Sequence, residues 1–290
     1  MALFKRAYLL FLASALALPE TSCIFDDLEP CEDANIGFSI TNNWGTDTSA
    51  NPEGMAYLFF YDSGCEPWRF DFPGKEAGRI SLPEGSYSFI MFNDDTASID
   101  FVSDENEHIF ATTKNVTIGF DPHIGELRSS PDMMWADASI LVKLDPNCLE
   151  YTTSEYAKKI DLIHNADMNM ITNPQQIVAR YTLLINHIEN LSGVACMKGL
   201  LSGMASGINL NTNTHSEKAV SIPFDLSVAA DSAVCSEFLT FGLPGSPASE
   251  PNDILLFFKL SDGNIIKYDF DKTEEIRNAS DPLNVKLTID

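Results

Sequence analysis

The sequence predicts an all-β fold of two tandem β-sandwiches, on three observations. Short runs rich in aromatic and β-branched residues recur along the chain, and turn residues separate them every 8–15 positions. A stretch rich in Pro, Ser and charge, "DPHIGELRSSPD" (121–132), divides the runs into two sets. The 290 residues leave room for one large or two ordinary domains, and a 44% hydrophobic content with 19 Phe supplies the core.

At the start, Lys5 and Arg6 precede "AYLLFLASALAL" (7–18), a 12-residue apolar run. That is too short to span a bilayer and the right length for a signal-peptide core, so residues 1–22 are expected to direct export of a chain that has no membrane span of its own. Strands follow at "IGFSIT" (36–41), "MAYLFFY" (55–61) and "WRFDF" (68–72). In "GRISLPEGSYSFIMFND" (78–94), Pro83 and Gly85 form a tight turn ahead of the apolar "YSFIMF", which suits a sandwich core. "ATTKNVTIGF" (111–120) and "ASILVKL" (138–144) read as strands on either side of the break, giving expected domains of 35–130 and 131–290.

Residues 145–176 are open between a helix capped by Thr153 or Ser154 and a mixture of loop and strand. "IVARYTLLINHIE" (177–189) partly alternates, with Arg180, Thr182, Asn186 and Glu189 on its polar side. "LLSGMASG" (200–207) reads as strand and turn in which glycine permits a bulge or close backbone approach. Pro223 puts "AVSIPFDL" (219–226) at an edge or bulge. "DILLFFKLSDGNIIKYDFD" (253–271) is a hairpin about Asp262–Gly263, and "DKTEEIR" (271–277) a short helical turn. In "LNVKLTID" (283–290), Val285, Leu287 and Ile289 face a core while Lys286 and Thr288 face out.

With 18 basic against 42 acidic residues, the net charge is −24. Such a surface repels nucleic acid and anionic headgroups, so a nucleic-acid role is excluded and the acidity reads as solubility outside the cytoplasm. The acidic stretches "FNDDT" (92–96) and "FVSDENEH" (101–108) raise calcium binding, but neither has the D-x-[DN]-x-[DN]-G spacing of an EF-hand. No histidine pair stands at metal-ligand spacing, and no metal site is expected. There is no G-x-S-x-G, no H-E-x-x-H beside "HIGE" (123–126), no phosphate-binding glycine loop and no cofactor fingerprint. The expected protein is therefore not an enzyme and carries no cofactor. A secreted hydrolase built on an unrecognised carboxylate pair is the remaining catalytic option. Trp44, Trp68 and Trp135 are candidates for a glycan-stacking surface, set against the commoner placement of Trp in a core or rim.

Six cysteines stand at 23, 31, 65, 148, 196 and 235. Export permits disulfides. A cysteine directly after a signal core is also where bacterial lipoproteins are cut and acylated. Ser22 before Cys23 is suitably small, whereas Glu20 stands where an aliphatic residue is usual. Acylation of Cys23 is expected, with a disulfide or, more remotely, a zinc role as alternatives. It leaves an odd number of thiols, and residues 23–34 become an acidic tether. Cys31 with Cys65 and Cys196 with Cys235 are the disulfide pairs to test, since sequence does not set connectivity.

Three stretches resemble the fimbrillin-like surface lipoproteins of Bacteroidales, the FimB/Mfa2-type fimbrial anchors and accessory proteins. They are "SCIFDDLEPC" (22–31), "LPEGSYSFIMFNDDT" (82–96), and "LLSGMASGINL" (200–210) with the "VSIPFDL" and "LSDGNIIKYDFD" segments that follow it. The resemblance implies two transthyretin-like β-sandwich domains on a lipid anchor in the outer membrane, exposed at the cell surface. It also implies pilin or accessory pilus subunits as partners, in a pilus assembled by strand exchange. Stalk subunits of that class lose an N-terminal segment to an Arg-specific protease. Here no Lys or Arg lies between Cys23 and Trp68, and the first, Arg69, is already in strand-like sequence. This favours an uncleaved anchor or accessory protein, with a surface glycan-binding lipoprotein as the alternative. Mass spectrometry of the mature N-terminal peptide should find Cys23 as the first residue, carrying acyl chains. An unmodified peptide beginning before Cys23 would remove the anchor.

Overall fold

Period-two alternation carries directly into burial. Along Ala179–Ile185 every second side chain is buried, and along Asn284–Ile289 Val285, Leu287 and Ile289 are buried while Lys286 and Thr288 are exposed. The computed structural model describes residues 35–47, 50–61, 66–103, 108–119, 125–153, 157–161, 168–230, 232–245 and 250–290. Those from Ile36 onward form one contact unit. Cys23, Cys31 and Cys65 lie outside the described residues, as does the signal segment.

The regular structure of the described residues is almost wholly strand. In order they are β1 (Ile36–Asn42), β2 (Gly54–Tyr61), β3 (Trp68–Pro73), β4 (Arg79–Leu82), β5 (Gly85–Asn93), β6 (Ile99–Ser103), β7 (Ile109–Thr113) and β8 (Trp135–Asp145). Then come β9 (Cys148–Thr153), β10 (Ala157–Asp161), β11 (Asn169–Thr172), β12 (Gln175–Gln176), β13 (Ala179–Ile185), β14 (Val194–Ala205), β15 (Gly207–Asn209) and β16 (Thr214–His215). The last are β17 (Ala219–Asp225), β18 (Ser227–Ala230), β19 (Ala233–Thr240), β20 (Asp253–Leu260), β21 (Ile265–Asp271) and β22 (Asn284–Ile289), with one short helix, α1 (Thr273–Arg277), before β22. Among the described residues no helix is long and apolar enough to cross a membrane.

The described strands form five sheets. A sheet ordered β11-β1-β4 faces one ordered β10-β9-β8-β5-β2-β3, and Phe38, Tyr57, Phe59, Phe89 and Tyr151 fill the space between. On the other face of the β5 sheet, Leu58, Phe60, Ile90 and Phe92 pack with Ala111, Ile208 and Leu210 of a sheet ordered β16-β15-β7-β6. The remaining sheets, β18-β19-β13-β22 and β17-β14-β20-β21, enclose a third core that includes Tyr181, Leu183, Ile222, Leu256 and Leu287.

Pairing runs across the break at 121–132. β8 lies antiparallel beside β5, and β11 runs parallel to β1, so a cut at residue 130 would strip β5 and β1 of hydrogen-bonded neighbours. The described residues of the open region 145–176 form strands β9 to β12, with β9 continuing the β8 hairpin through Asp145–Cys148; Ser154, one of the two helix-cap candidates, lies outside the described residues. The strand expected over 111–120 stops at Thr113. Beyond it Val116 N–H bonds the Leu127 carbonyl and Ser129 N–H the Lys114 carbonyl, so the chain pairs with 127–129 instead of with a sheet. Residues 101–103, read as the start of an acidic loop, are the end of β6.

The other acidic stretch has structural work. Buried Asn93 accepts from Trp135 N–H at 2.7 Å and donates to Asp95 and to the Met133 carbonyl. Asp95 also accepts from Glu53 N–H, and Asp94 from Arg69. Among the described residues no group of three His, Cys, Asp or Glu is placed to hold a metal.

The glycines of "LLSGMASG" act at the backbone. Gly203 has φ of +72° at a β-bulge of β14, and a Cβ there would stand 2.7 Å from the Pro251 carbonyl oxygen. Buried Asn252 donates to the carbonyls of Ser202 and Gly203 across the same gap. Gly203→Ala should cost roughly 2–4 kcal/mol in denaturant unfolding, from left-handed backbone strain plus steric overlap. Gly45→Ala, at φ +55° with open space around it, should cost about 1 kcal/mol. Equal losses would contradict this packing.

Candidate functional site

The two sheets of the third core do not sit squarely on one another. Phe224 of β17 stacks on Phe238 of β19 at 4.1 Å, Tyr181 of β13 lies 5.6 Å from the same ring, and Ser236 Oγ donates to the Asp225 carbonyl. These contacts put β17 over β19. With strand orders β17-β14-β20-β21 and β18-β19-β13-β22, β14 then lies over β13 and β20 over β22, and among the described residues β21 has no strand opposite it. β18 overhangs at the other side by the same offset.

Exposure agrees with this placement. Ile266 and Tyr268 are in register with the buried Phe258 and Leu256 and so face inward, yet they are 39% and 49% exposed. Val228 of β18 is in register with fully buried Val234 and is 58% exposed. Under β21 the offset leaves a groove of about 600 Å³, whose apolar wall includes Leu256, Phe258, Ile266, Tyr268, Phe270 and Ile289.

The groove reaches the end of β22 at Ile289 and Asp290, and β22 is the last strand of its sheet among the described residues. Arg180 N–H bonds the Leu283 carbonyl and Asn186 N–H the Ile289 carbonyl. In this parallel ladder the carbonyls of 283, 285, 287 and 289 therefore point to β13, and those of 284, 286 and 288 point away. Lys272 Nζ donates to the Thr288 carbonyl at 2.8 Å and to Glu275 at 2.7 Å. α1 packs beside β22 and sends Ile276 into the core. The far end is closed by residues 186–190, where His187 and Asn190 hold left-handed backbone and Asn186 Nδ2 donates to Asp290. Glu189 and Asp290, both exposed, also line this end.

On the outer face of the same hairpin Asp253 stands opposite Asp271, with Asp269 two residues along. Burial, then the charges of Asp269 and Asp271, push the Asp253 carboxyl above its ordinary range. Like charges so placed weaken the end of a strand pair that has no further neighbour. The groove side chains and the free edge supply apolar contact and backbone acceptors, which is what an added β-strand requires.

The residues singled out from sequence are mostly elsewhere. Cys196 on β14 and Cys235 on β19 are free thiols in different sheets, so this expected bridge is not made. Trp44 and Trp135 meet edge to face at 6.3 Å, and their indole N–H groups are taken by the Lys75 carbonyl and Asp47. Trp68, 47% exposed, lies apart on edge strand β3. The three therefore form no common stacking plane. Arg69, the first basic residue after Cys23, sits within β3 and donates to Asp71 and Asp94. The groove itself was not anticipated. Its one sequence signal was the Ile-Ile-Lys-Tyr-Asp-Phe run of β21, apolar on a strand that turns out to lie at an edge.

Solved structures share this fold at low identity. A candidate adhesin from Bacteroides ovatus superimposes with a TM-score of 0.61 at 18% identity, over 88% of this chain and 92% of that one. The fimbrial anchor protein Mfa2 from Porphyromonas gingivalis gives 0.50 at 15% identity, over 88% and 90%. A candidate polysaccharide-binding protein (DUF1812) from Bacteroides thetaiotaomicron gives 0.52 at 9% identity, over 88% and 89%. No curated protein matches the chain. One family matches in sequence across residues 22–225, and the chain belongs to it: the domain of unknown function DUF5119.

Proposed function

We propose that the protein is a non-catalytic cell-surface component that anchors or accompanies a pilus assembled by strand exchange, tethered to the outer membrane through acyl chains on Cys23. The observation that carries this reading is the groove beneath β21, which combines an uncovered apolar wall with the free edge of β22. Covering half-exposed Ile266 and Tyr268 would contribute roughly 1–1.5 kcal/mol each, before the backbone bonds of an added strand. The fold shared with Mfa2 and with a candidate adhesin supports the same class of role. Arg69, held in a strand by two carboxylates, supports a subunit that is not cut at an arginine before assembly. We further read the chain as two sandwich modules that share strand pairing, since β15 pairs with β7 and β12 with β8.

The proposed role predicts that the purified mature protein retains isolated pili of its own strain on a column. Ile266→Asp with Tyr268→Asp, two half-exposed positions whose change leaves the buried core intact, should lower retention at least about tenfold. Unchanged retention would move the site away from the groove. Absence of pilus retention, together with polysaccharide binding lost on Trp68→Ala, would replace the reading with a glycan-binding one.

A further inference from the structure

The free edge of β22 is not bare. Lys272, with its side chain 17% exposed, places its ammonium on the outward carbonyl of Thr288, and Ile276, 3% exposed, fills the core beside Phe270. Both belong to one segment, residues 272–278, which runs along the place where a fifth strand of the β13 sheet would lie. The segment copies what such a strand provides, a donor to an edge carbonyl and an apolar side chain pointing inward. Its helix has only five residues, so it is held by its surroundings rather than by its own turns: Asp271 accepts from Thr273 N–H, Lys272 N–H bonds the Asn252 carbonyl, and Arg277 donates to the Glu250 carbonyl.

We propose that residues 272–278 are a built-in cover of the β22 edge beside the groove, a plug displaced when an extended segment of a partner protein pairs with that edge. The incoming strand supplies a backbone N–H to the Thr288 carbonyl in place of Lys272, and an apolar side chain to the core in place of Ile276. This rests on the strand-acceptor reading above and adds to it the regulation of the groove and the character of what enters. The segment that fits carries large apolar residues at alternate positions, with a lysine or arginine to meet Glu275 once Lys272 leaves and others to face Glu189 and Asp290. A second copy of this chain does not fit. In copies stacked head to tail β17 would have to pair as well, and its edge is taken by 126–128 through Ser221 N–H to the Glu126 carbonyl and Arg128 N–H to the Ser221 carbonyl. The net charge of −24 also opposes self-association.

The test uses the full mature protein and a synthetic ten-residue peptide of alternating isoleucine and threonine with lysine at each end, read by titration and by amide exchange. Binding should protect the Lys286 and Thr288 amides and release those of Ile276 and Asn278, which bond the Lys272 and Glu274 carbonyls. Lys272→Ala should bind the peptide about fivefold more tightly, and Lys272→Arg, which keeps the donor, should bind like the parent. Exchanging the central isoleucine of the peptide for aspartate should weaken binding at least about tenfold. Protection of the β22 edge with the α1 amides unchanged would overturn the plug while leaving the strand-acceptor reading in place. So would equal affinity of Lys272→Ala and parent. Binding by neither protein would also overturn it, and the pilus-retention result would still decide the broader reading on its own.

Discussion

Everything distinctive about this molecule follows from a displacement of one strand between two four-stranded sheets. The displacement is set by aromatic stacking and by the chain path. Phe238 is held between Phe224 and Tyr181, which locks β17 over β19, and a single residue, Leu226, carries the chain from β17 in one sheet to β18 in the other. Equal strand numbers then guarantee an overhang at each side. At the β18 side the overhang is a short strand with one exposed valine. At the β21 side it is seven residues with Ile266, Tyr268 and Phe270 on the inward face, and the protein closes part of it with a helical turn.

Much of the fold was legible in the sequence, for physical reasons that vary by element. The hairpin at Asp262–Gly263 was readable because Gly263 takes φ of +91° between two apolar runs, and the last strand because its alternation is unbroken. Pro223 correctly placed β17 at a sheet edge. The strand β19, "AVCSEFLT", alternates in burial but its inward positions include Ser236 and Thr240, so its hydrophobic signal is diluted. Residues 145–176 were ambiguous because local sequence does not say that β8 will turn back on β9.

The groove illustrates a deeper limit. A sequence records which residues of β21 are apolar, and it does not record whether a strand will stand opposite them. That is decided by the stacking of three rings contributed by β13, β17 and β19, far from β21 in the chain. Cysteine pairing is likewise not legible in the sequence, and Cys196 and Cys235 are free thiols. Sequence leaves the tryptophans open between glycan stacking and a core or rim placement, and Trp44 and Trp135 spend their N–H groups on a turn carbonyl and a carboxylate. An acidic, β-rich chain with an apolar overhang at β21 offers a surface suited to holding an extended partner segment.

The central claim is that β22 is an edge strand with one side open to an incoming chain. Residue-resolved amide exchange on the isolated protein tests it most directly. The account predicts slow exchange at Val285, Leu287 and Ile289, whose amides point to β13, and exchange faster by at least about a hundredfold at Lys286 and Thr288, whose amides point to the groove. Uniformly slow exchange along residues 284–289 would mean that another strand covers this edge, and would contradict the account.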